Sequence, residues 1–142
     1  MQMETLRILI ADDHALVRRS LRSLLLTHSS WDVCGEAVDG QDAVDKAKEL
    51  HPDIVLLDVS MPRMTGLQAV PIIRHEVPES QILIVTQHDS NELSRHATEV
   101  GAQGFVVKSE ATKYLVPAIE AAGERRRVSA LVSNPTKNAA AD

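Results

Sequence analysis

Five short runs rich in Val, Ile and Leu alternate along the chain with longer stretches of helical periodicity. One run, Ile54–Leu57, is apolar at every position, which is typical of a strand buried on both faces of a parallel sheet. Strands that alternate with helices favour βαβ units, and their right-handed crossovers place helices on both faces of the sheet. We therefore predict an α/β fold with a doubly wound, five-stranded parallel sheet.

Residue type and spacing place the strands and helices of this sheet. Each strand is an apolar or β-branched run bounded by turn residues, and each helix repeats apolar residues every three or four positions. The second strand is the most polar and is expected near an edge. The predicted strands cover residues 6–11, 31–38, 54–58, 81–86 and 104–108. The predicted third and fifth helices cover residues 66–75 and 109–126, with Ser109 as the N-cap of the latter.

Two prolines, Pro71 and Pro117, fall inside these two predicted helices. An interior proline removes a backbone hydrogen bond and costs about 3 kcal/mol. We therefore expect each helix either to begin later than the bounds given above or to kink.

Composition and charge argue against several functions. The 142 residues carry a formal charge of −5, which disfavours direct nucleic acid contact by this segment, because phosphate contacts need a basic surface. The single cysteine, Cys34, permits no intrachain disulfide and favours a reducing cytoplasm. No apolar run is long enough to span a membrane, and the start does not resemble a signal peptide. We predict a cytoplasmic domain over residues 1–130 and a linker or disordered tail over residues 131–142.

Polar residues stand where the predicted strands end. Asp12 and Asp13 follow the first strand, and Asp58, Thr86 and Lys108 end the third, fourth and fifth strands. In a sheet of strand order 2-1-3-4-5, the first and third strands are neighbours at the point where ligands bind. We therefore expect these side chains to meet at one edge of the sheet.

The carboxylates at that edge need a neutralising group. Two carboxylates about 4 Å apart repel by about 4 kcal/mol at an effective dielectric constant of 20, so either a proton or a cation must neutralise them. The available ligands are hard oxygen atoms, and they are too few to fill the coordination shell of a metal ion. This favours Mg²⁺, whose remaining positions are taken by water and a phosphate. An aspartate beside Mg²⁺ and a lysine is equipped to attack a phosphoryl group.

Four motifs carry a family resemblance: ADDH at 11–14, LLDVSMPRMTG at 56–66, VTQH at 85–88 and GAQGFVVKS at 101–109. With them the chain resembles the receiver domain of bacterial two-component response regulators, whose fold is flavodoxin-like (CheY-like). The chain resembles the NarL/FixJ (LuxR-type) branch in three motifs: DDH at 12–14, SMP at 60–62 and AIEAAGERRRVSAL at 118–131. In that branch a helix-turn-helix DNA-binding domain follows the receiver. The resemblance implies a truncated receiver, with a stand-alone regulator as the alternative.

The resemblance implies a role for each site residue. Asp58 would accept a phosphoryl group from a histidine of a partner sensor kinase or from a small phosphodonor. Asp13 would bind Mg²⁺ directly and Asp12 mainly through water, with the main-chain carbonyl of Ser60 as a further ligand. Lys108 would bind a phosphoryl oxygen.

The resemblance also implies a conformational switch. Thr86 would bind another phosphoryl oxygen, and Phe105 would swing inward as Thr86 moves. Phe105 lacks the hydroxyl of the tyrosine found there in relatives, so its switch would depend on side-chain contacts alone. The moving surface would meet an output domain or a second copy of the chain in a homodimer. Gln87 occupies a position that is often small in this family and borders the path of the hydrolytic water.

Simpler interpretations exist for each residue. Asp12 and Asp13 could cap the next helix, and Thr86, Phe105 and Lys108 could be strand-end, core and surface residues. We interpret the six histidines and residues 125–127 as surface groups, the latter as a solvated helix terminus. The chain is predicted not to be an enzyme. An aspartyl-nucleophile phosphatase remains an alternative, although it usually needs an acid where Ser60 stands, and so does a docking module that is never phosphorylated.

Overall fold

The structure, a computed structural model, describes residues 5–132. Five strands alternate with five helices, and the last helix follows a short 3-10 turn at Lys108–Glu110. The strands are β1 (Leu6–Ala11), β2 (Trp31–Ala37), β3 (Ile54–Leu57), β4 (Gln81–Thr86) and β5 (Gly104–Val107). The helices are α1 (Ala15–Leu25), α2 (Gly40–Leu50), α3 (Gly66–Glu76), α4 (Asn91–Val100) and α5 (Ala111–Val132). Most of the predicted tail at 131–142 lies outside the described residues.

All strand pairs of the sheet are parallel, and the strand order is β2-β1-β3-β4-β5. The predicted doubly wound fold and its 2-1-3-4-5 order are therefore confirmed. β2, the most polar strand, lies at one edge. No helix in residues 5–132 is long and apolar enough to cross a membrane.

The two faces of the sheet bury separate apolar clusters. Alternate residues of each strand point to opposite faces, so Leu9 of β1 packs with α2, α3 and α4, while Ile10 packs with α1 and α5. β3 contributes to both clusters, which explains why it is apolar throughout: Val55 and Leu57 face one side and Ile54 and Leu56 the other. The core is mostly aliphatic, with Trp31 as a buried aromatic residue in the cluster beneath α1 and α5.

The helix ends have local causes. Thr65 caps α3 by accepting a hydrogen bond from the Gln68 amide, and the Gln68 side chain accepts from the Thr65 amide in return. α4 ends at Gly101, whose φ of 116° suits glycine. α3 begins where the sequence predicted despite Pro71, so a later start is wrong for this helix. α5 begins two residues beyond the predicted N-cap Ser109, and Pro117 still lies inside it.

The interpretation of residues 125–127 as a helix terminus is wrong, although Arg125 and Arg127 are exposed to solvent as predicted. Arg125 Nε donates to Gln81 Oε1 at 3.2 Å, and Arg126 Nε lies 3.6 Å from Asp53 Oδ1. α5 continues to Val132, so these arginines lie within the helix. They tie its later turns to the amino-terminal edge of the sheet.

Replacement of Leu115 by alanine should lower the free energy of unfolding by about 2–5 kcal/mol, because a fully buried leucine leaves a cavity. Urea denaturation measures the change. Tyr114→Ala, at an exposed position next to it in α5, is the matched control and should change stability far less. Equal losses in the two variants would contradict the proposed core.

Candidate functional site

Two buried aspartates lie side by side at the carboxyl edge of the sheet. β1 and β3 pair with Ala11 opposite Leu57, so Asp12 and Asp58 are the next residues of both strands. The Asp58 amide continues the ladder by donating to the Ala11 carbonyl at 3.0 Å. Asp12 is 1% exposed and Asp58 is 3% exposed. Parallel pairing thus forces two carboxylates together out of contact with bulk water.

Lys108 joins these carboxylates. It follows the last residue of β5, and its Nζ lies 2.6 Å from Asp12 Oδ2 and 3.3 Å from Asp58 Oδ1. Apart from this ion pair, neither oxygen has a hydrogen-bond donor within residues 5–132. One ammonium therefore bridges two carboxylates, and the buried group keeps a net negative charge.

The pKa of Asp58 is shifted by this arrangement. Burial raises the pKa of Asp58 above its ordinary value, and repulsion from Asp12 raises it further. The Lys108 ammonium opposes both effects and lowers the pKa of Asp58. The net shift is upward. The single lysine consequently does not fully compensate the two acids.

Asp13 and His14 form the solvent-facing part of the site. His14 Nδ1 lies 3.0 Å from Asp13 Oδ1 and 3.4 Å from Asp12 Oδ1. One ligand atom from each of the three residues falls within 4.8 Å of the others. From the sequence, His14 was interpreted with the other histidines as a surface group. Its position directly after the acid pair is the signal that it belongs with them.

The remaining predicted residues lie around this edge. Thr86 is fully buried at the end of β4, and its hydroxyl accepts a hydrogen bond from the His88 amide at 3.3 Å. Phe105 is partly buried and packs against the apolar cluster beneath α2, α3 and α4. Ser60 is exposed in the loop after Asp58. Thr86 and Phe105 thus lie on neighbouring strands, and among residues 5–132 the Thr86 hydroxyl has no hydrogen bond to Asp58.

The loop that carries Ser60 is held at its end by glycine. A side chain at Gly66 would overlap the carbonyl oxygen of Asp58, so a larger residue would displace the backbone of that aspartate. The Gly66 amide also donates to Val59 O at 2.9 Å.

A second set of contacts joins this loop to α2. The Gly40 amide donates to Met64 O at 3.0 Å, and Arg63 Nε lies 3.2 Å from Asp39 Oδ2. The buried Asp39 also accepts from the Asp42 amide at 2.7 Å as the N-cap of α2. These contacts fix the course of the backbone between Asp58 and α3.

The donors at this edge fit Mg²⁺. Buried carboxylate oxygens without a hydrogen-bond donor other than one lysine are hard ligands with unused capacity. Asp13 adds a carboxylate that is partly open to solvent. Mg²⁺ retains several waters and needs few protein ligands, whereas the imidazole of His14 is better suited to transition metals.

Comparison with known families matches residues 8–120 to the response regulator receiver domain. The chain belongs to this family. The motifs at the strand ends and the site residues described above all lie within the matched residues. Receiver domains are signalling domains.

Several proteins with similar sequences are described as transcriptional regulatory proteins. The chain is 36% identical over 122 residues to the transcriptional regulatory protein YxjL of Bacillus subtilis. The aligned residues cover 86% of this chain and 56% of that protein. It is 38% identical over 116 residues to YdfI of the same organism, covering 82% of this chain and 54% of that one. The chain therefore spans just over half the length of these relatives.

Solved structures of LuxR and NarL receivers share the fold. A LuxR-family response regulator from Aurantimonas is 38% identical, with a TM-score of 0.79 over 83% of this chain and 84% of that one. The signal receiver domain described as NarL from Mycobacterium tuberculosis is 33% identical, with a TM-score of 0.81 over 86% of this chain and 98% of that one. The predicted family and branch resemblance are confirmed.

The Asp58→Asn variant should be more stable than wild type at neutral pH. Folding raises the pKa of Asp58, so the folded protein holds this proton more tightly than the unfolded chain, and the ionised carboxylate destabilises the fold above the raised pKa. The neutral amide removes that penalty and leaves Lys108 paired with Asp12 alone. The advantage should shrink as the pH falls towards the ordinary pKa of aspartate, where both states bind the proton.

Urea denaturation at a series of pH values measures this effect. Asp32→Asn, at an exposed position in β2, is the control and should show little change. An Asp58→Asn variant that is less stable than wild type at neutral pH would contradict the interpretation.

Proposed function

We propose that Asp58 accepts a phosphoryl group from a phosphohistidine of a partner sensor kinase or from a small phosphodonor. The observation that carries the proposal is the Lys108 ammonium within 3.3 Å of a buried Asp58 carboxylate. A carboxylate oxygen attacks phosphorus and an O–P bond forms. With phosphohistidine the P–N bond breaks, and its electron pair goes to the imidazole nitrogen, which takes up a proton. With acetyl phosphate the P–O bond to the acetyl group breaks, and its electron pair leaves with acetate. Lys108 counters the charge that gathers on the phosphoryl oxygens.

Mg²⁺ would supply further positive charge at the phosphoryl oxygens. Asp12, Asp13, Asp58 and the main-chain carbonyl of Ser60 are the residues proposed to hold it. The excess of carboxylates over ammonium groups and the raised pKa of Asp58 support this assignment. Transfer of the phosphoryl group makes Asp58 a larger, more highly charged side chain in a buried place.

The proposed response to phosphorylation is a switch. The Thr86 hydroxyl moves to a phosphoryl oxygen, and Phe105 of the adjacent strand moves inward behind it. Support comes from the pairing of β4 with β5, which sets Ile84 opposite Phe105 two residues before Thr86. The surface around α4, β5 and α5 would then change its affinity for a second copy of the chain or for an output domain.

The proposed partners follow from the relatives. The chain matches just over half of proteins described as transcriptional regulators, and a LuxR-family regulator is among its structural neighbours. We infer that the receiver controls a helix-turn-helix output domain and acts in the cytoplasm. The negative charge of the chain makes direct DNA contact by the receiver itself unfavourable.

Incubation with acetyl phosphate and Mg²⁺ should add one phosphoryl group to the wild-type chain, detected as intact mass. Asp58→Asn should show no adduct, and Lys108→Ala should acquire it more slowly, because the ammonium no longer offsets the phosphoryl charge. Asp32→Asn is the matched control and should be labelled like wild type.

Absence of an adduct in wild type, or an adduct that survives in Asp58→Asn, would contradict the assignment. A steady release of phosphate over many turnovers would favour the aspartyl-nucleophile phosphatase instead. That alternative needs a general acid in the position of the exposed Ser60.

Replacement of Gln87 by alanine should change the lifetime of the phosphorylated form. Gln87 is exposed and directly follows Thr86 at the mouth of the site, where its amide can obstruct or orient the attacking water. The decay of the phosphorylated protein is followed by intact mass after removal of the donor. Identical decay of the two proteins would refute a role for this side chain.

A further inference from the structure

Arg18 of α1 reaches back to the turn that carries the acid pair. Its Nη1 donates to the main-chain carbonyl of Asp12 at 2.8 Å, and its Nε donates to Glu36 Oε1 at 2.9 Å. The side chain is 17% exposed, so most of it is buried between α1 and β2. One guanidinium thus bridges the end of β1 to the neighbouring edge strand.

This bridge acts on a very short segment. Only Asp12, Asp13 and His14 separate β1 from α1, and His14, the N-cap of α1, makes no side-chain cap hydrogen bond. The Asp12 amide donates to Ala37 O at 3.0 Å, and Asp12 Oδ1 accepts from the His14 amide at 2.9 Å. Arg18 adds a charged donor to the Asp12 carbonyl. The amide, the carbonyl and the Oδ1 atom of Asp12 thus each have a hydrogen bond that restrains this turn, whereas Oδ2, within the described part of the chain, faces only Lys108.

Glu36 holds the other end of the bridge. Its carboxylate accepts from Arg18 Nε and also from Arg22 Nη1, the latter at 3.1 Å. Arg22 lies one helical turn further along α1, and its side chain is 45% exposed. Arg18 and Arg22 thus share one acidic partner, but the structure gives only Arg18 a contact with the acid pair.

We propose that Arg18 is a positioning residue for the cation site, because its hold on the Asp12 carbonyl sets the direction in which Asp12 and Asp13 present their carboxylates. The inference rests on the proposed function, in which these acids hold Mg²⁺. Contacts that orient metal ligands in this way govern the affinity of a site without touching the ion.

The charge of Arg18 and its positioning contact have opposite effects on the affinity for Mg²⁺. A guanidinium beside two carboxylates repels an incoming cation, so loss of the charge alone would tighten Mg²⁺ binding. Loss of the positioning contact would weaken Mg²⁺ binding. A substitution that keeps the charge but removes the two-armed bridge therefore isolates the positional effect.

Arg18→Lys is that substitution, since an ammonium cannot reproduce the planar fork that reaches both partners. Titration calorimetry of the full chain with Mg²⁺, without a phosphodonor, should show about tenfold weaker binding than in wild type. Arg22→Lys is the matched control, because it perturbs the same Glu36 and leaves the Asp12 carbonyl contact in place. Its Mg²⁺ affinity should equal that of wild type.

A second measurement separates positioning from a merely structural role. With acetyl phosphate as donor, Arg18→Lys should need a higher Mg²⁺ concentration for half-maximal phosphorylation and should reach the wild-type rate at saturation. A rate that saturating Mg²⁺ does not restore would overturn the proposal in favour of general destabilisation.

Other outcomes are equally decisive. Unchanged or tighter Mg²⁺ binding by Arg18→Lys, with normal binding by wild type, would overturn this inference and leave the proposed cation site standing. Absence of Mg²⁺ binding in wild type would overturn the site and the inference together. If Arg18→Lys fails to fold, Glu36→Asp serves instead, since it keeps the negative charge and shortens the side chain that holds the far end of the bridge. It should weaken Mg²⁺ binding, and unchanged affinity would overturn the inference.

Discussion

The ion pair between one lysine and two buried aspartates is the interaction on which the rest of the site depends. Lys108 lies within 3.3 Å of Asp58 and at 2.6 Å from Asp12, both nearly inaccessible to solvent. Buried charges are tolerated only when paired, and loss of one partner leaves the others without compensation. Here the compensation is incomplete, because one ammonium faces two carboxylates. That imbalance explains why the pKa of Asp58 is raised and why the donors of the site fit a divalent cation.

The parallel sheet creates this arrangement without needing long loops. β1, β3 and β5 all end at the same edge, so residues that directly follow these strands meet there. The two aliphatic clusters on either face make the sheet rigid and hold those strand ends in place. Shorter contacts then tune the backbone around the site. Gly66 admits the carbonyl of Asp58, and Arg63 ties the following loop to the cap of α2.

The family membership and the geometry support one mode of action at different levels. Membership establishes a receiver domain and its fold, and the relatives, of which the chain spans just over half, are described as transcriptional regulatory proteins. The geometry supports the proposed response to phosphorylation. A new charge beside Asp58 changes the electrostatic balance of a buried group. Thr86 and Phe105 lie on the adjacent strands through which such a change would reach the helices.

Local sequence determined the alternation of strands and helices, the buried character of β3 and the residues that follow each strand. These are properties of spacing along the chain, and apolar periodicity encodes them directly. The same information placed Asp12, Asp58 and Lys108 at one edge, since the carboxyl ends of parallel strands all lie at the same edge of the sheet. It did not reveal the side-chain partners.

Only the tertiary structure decided that Arg125 and Arg126 bind the far edge of the sheet and that Arg18 joins the Asp12 carbonyl to Glu36. These long side chains contact residues on other elements, and periodicity along the chain does not encode such contacts. Which partners lie within reach depends on how the helices pack on the sheet.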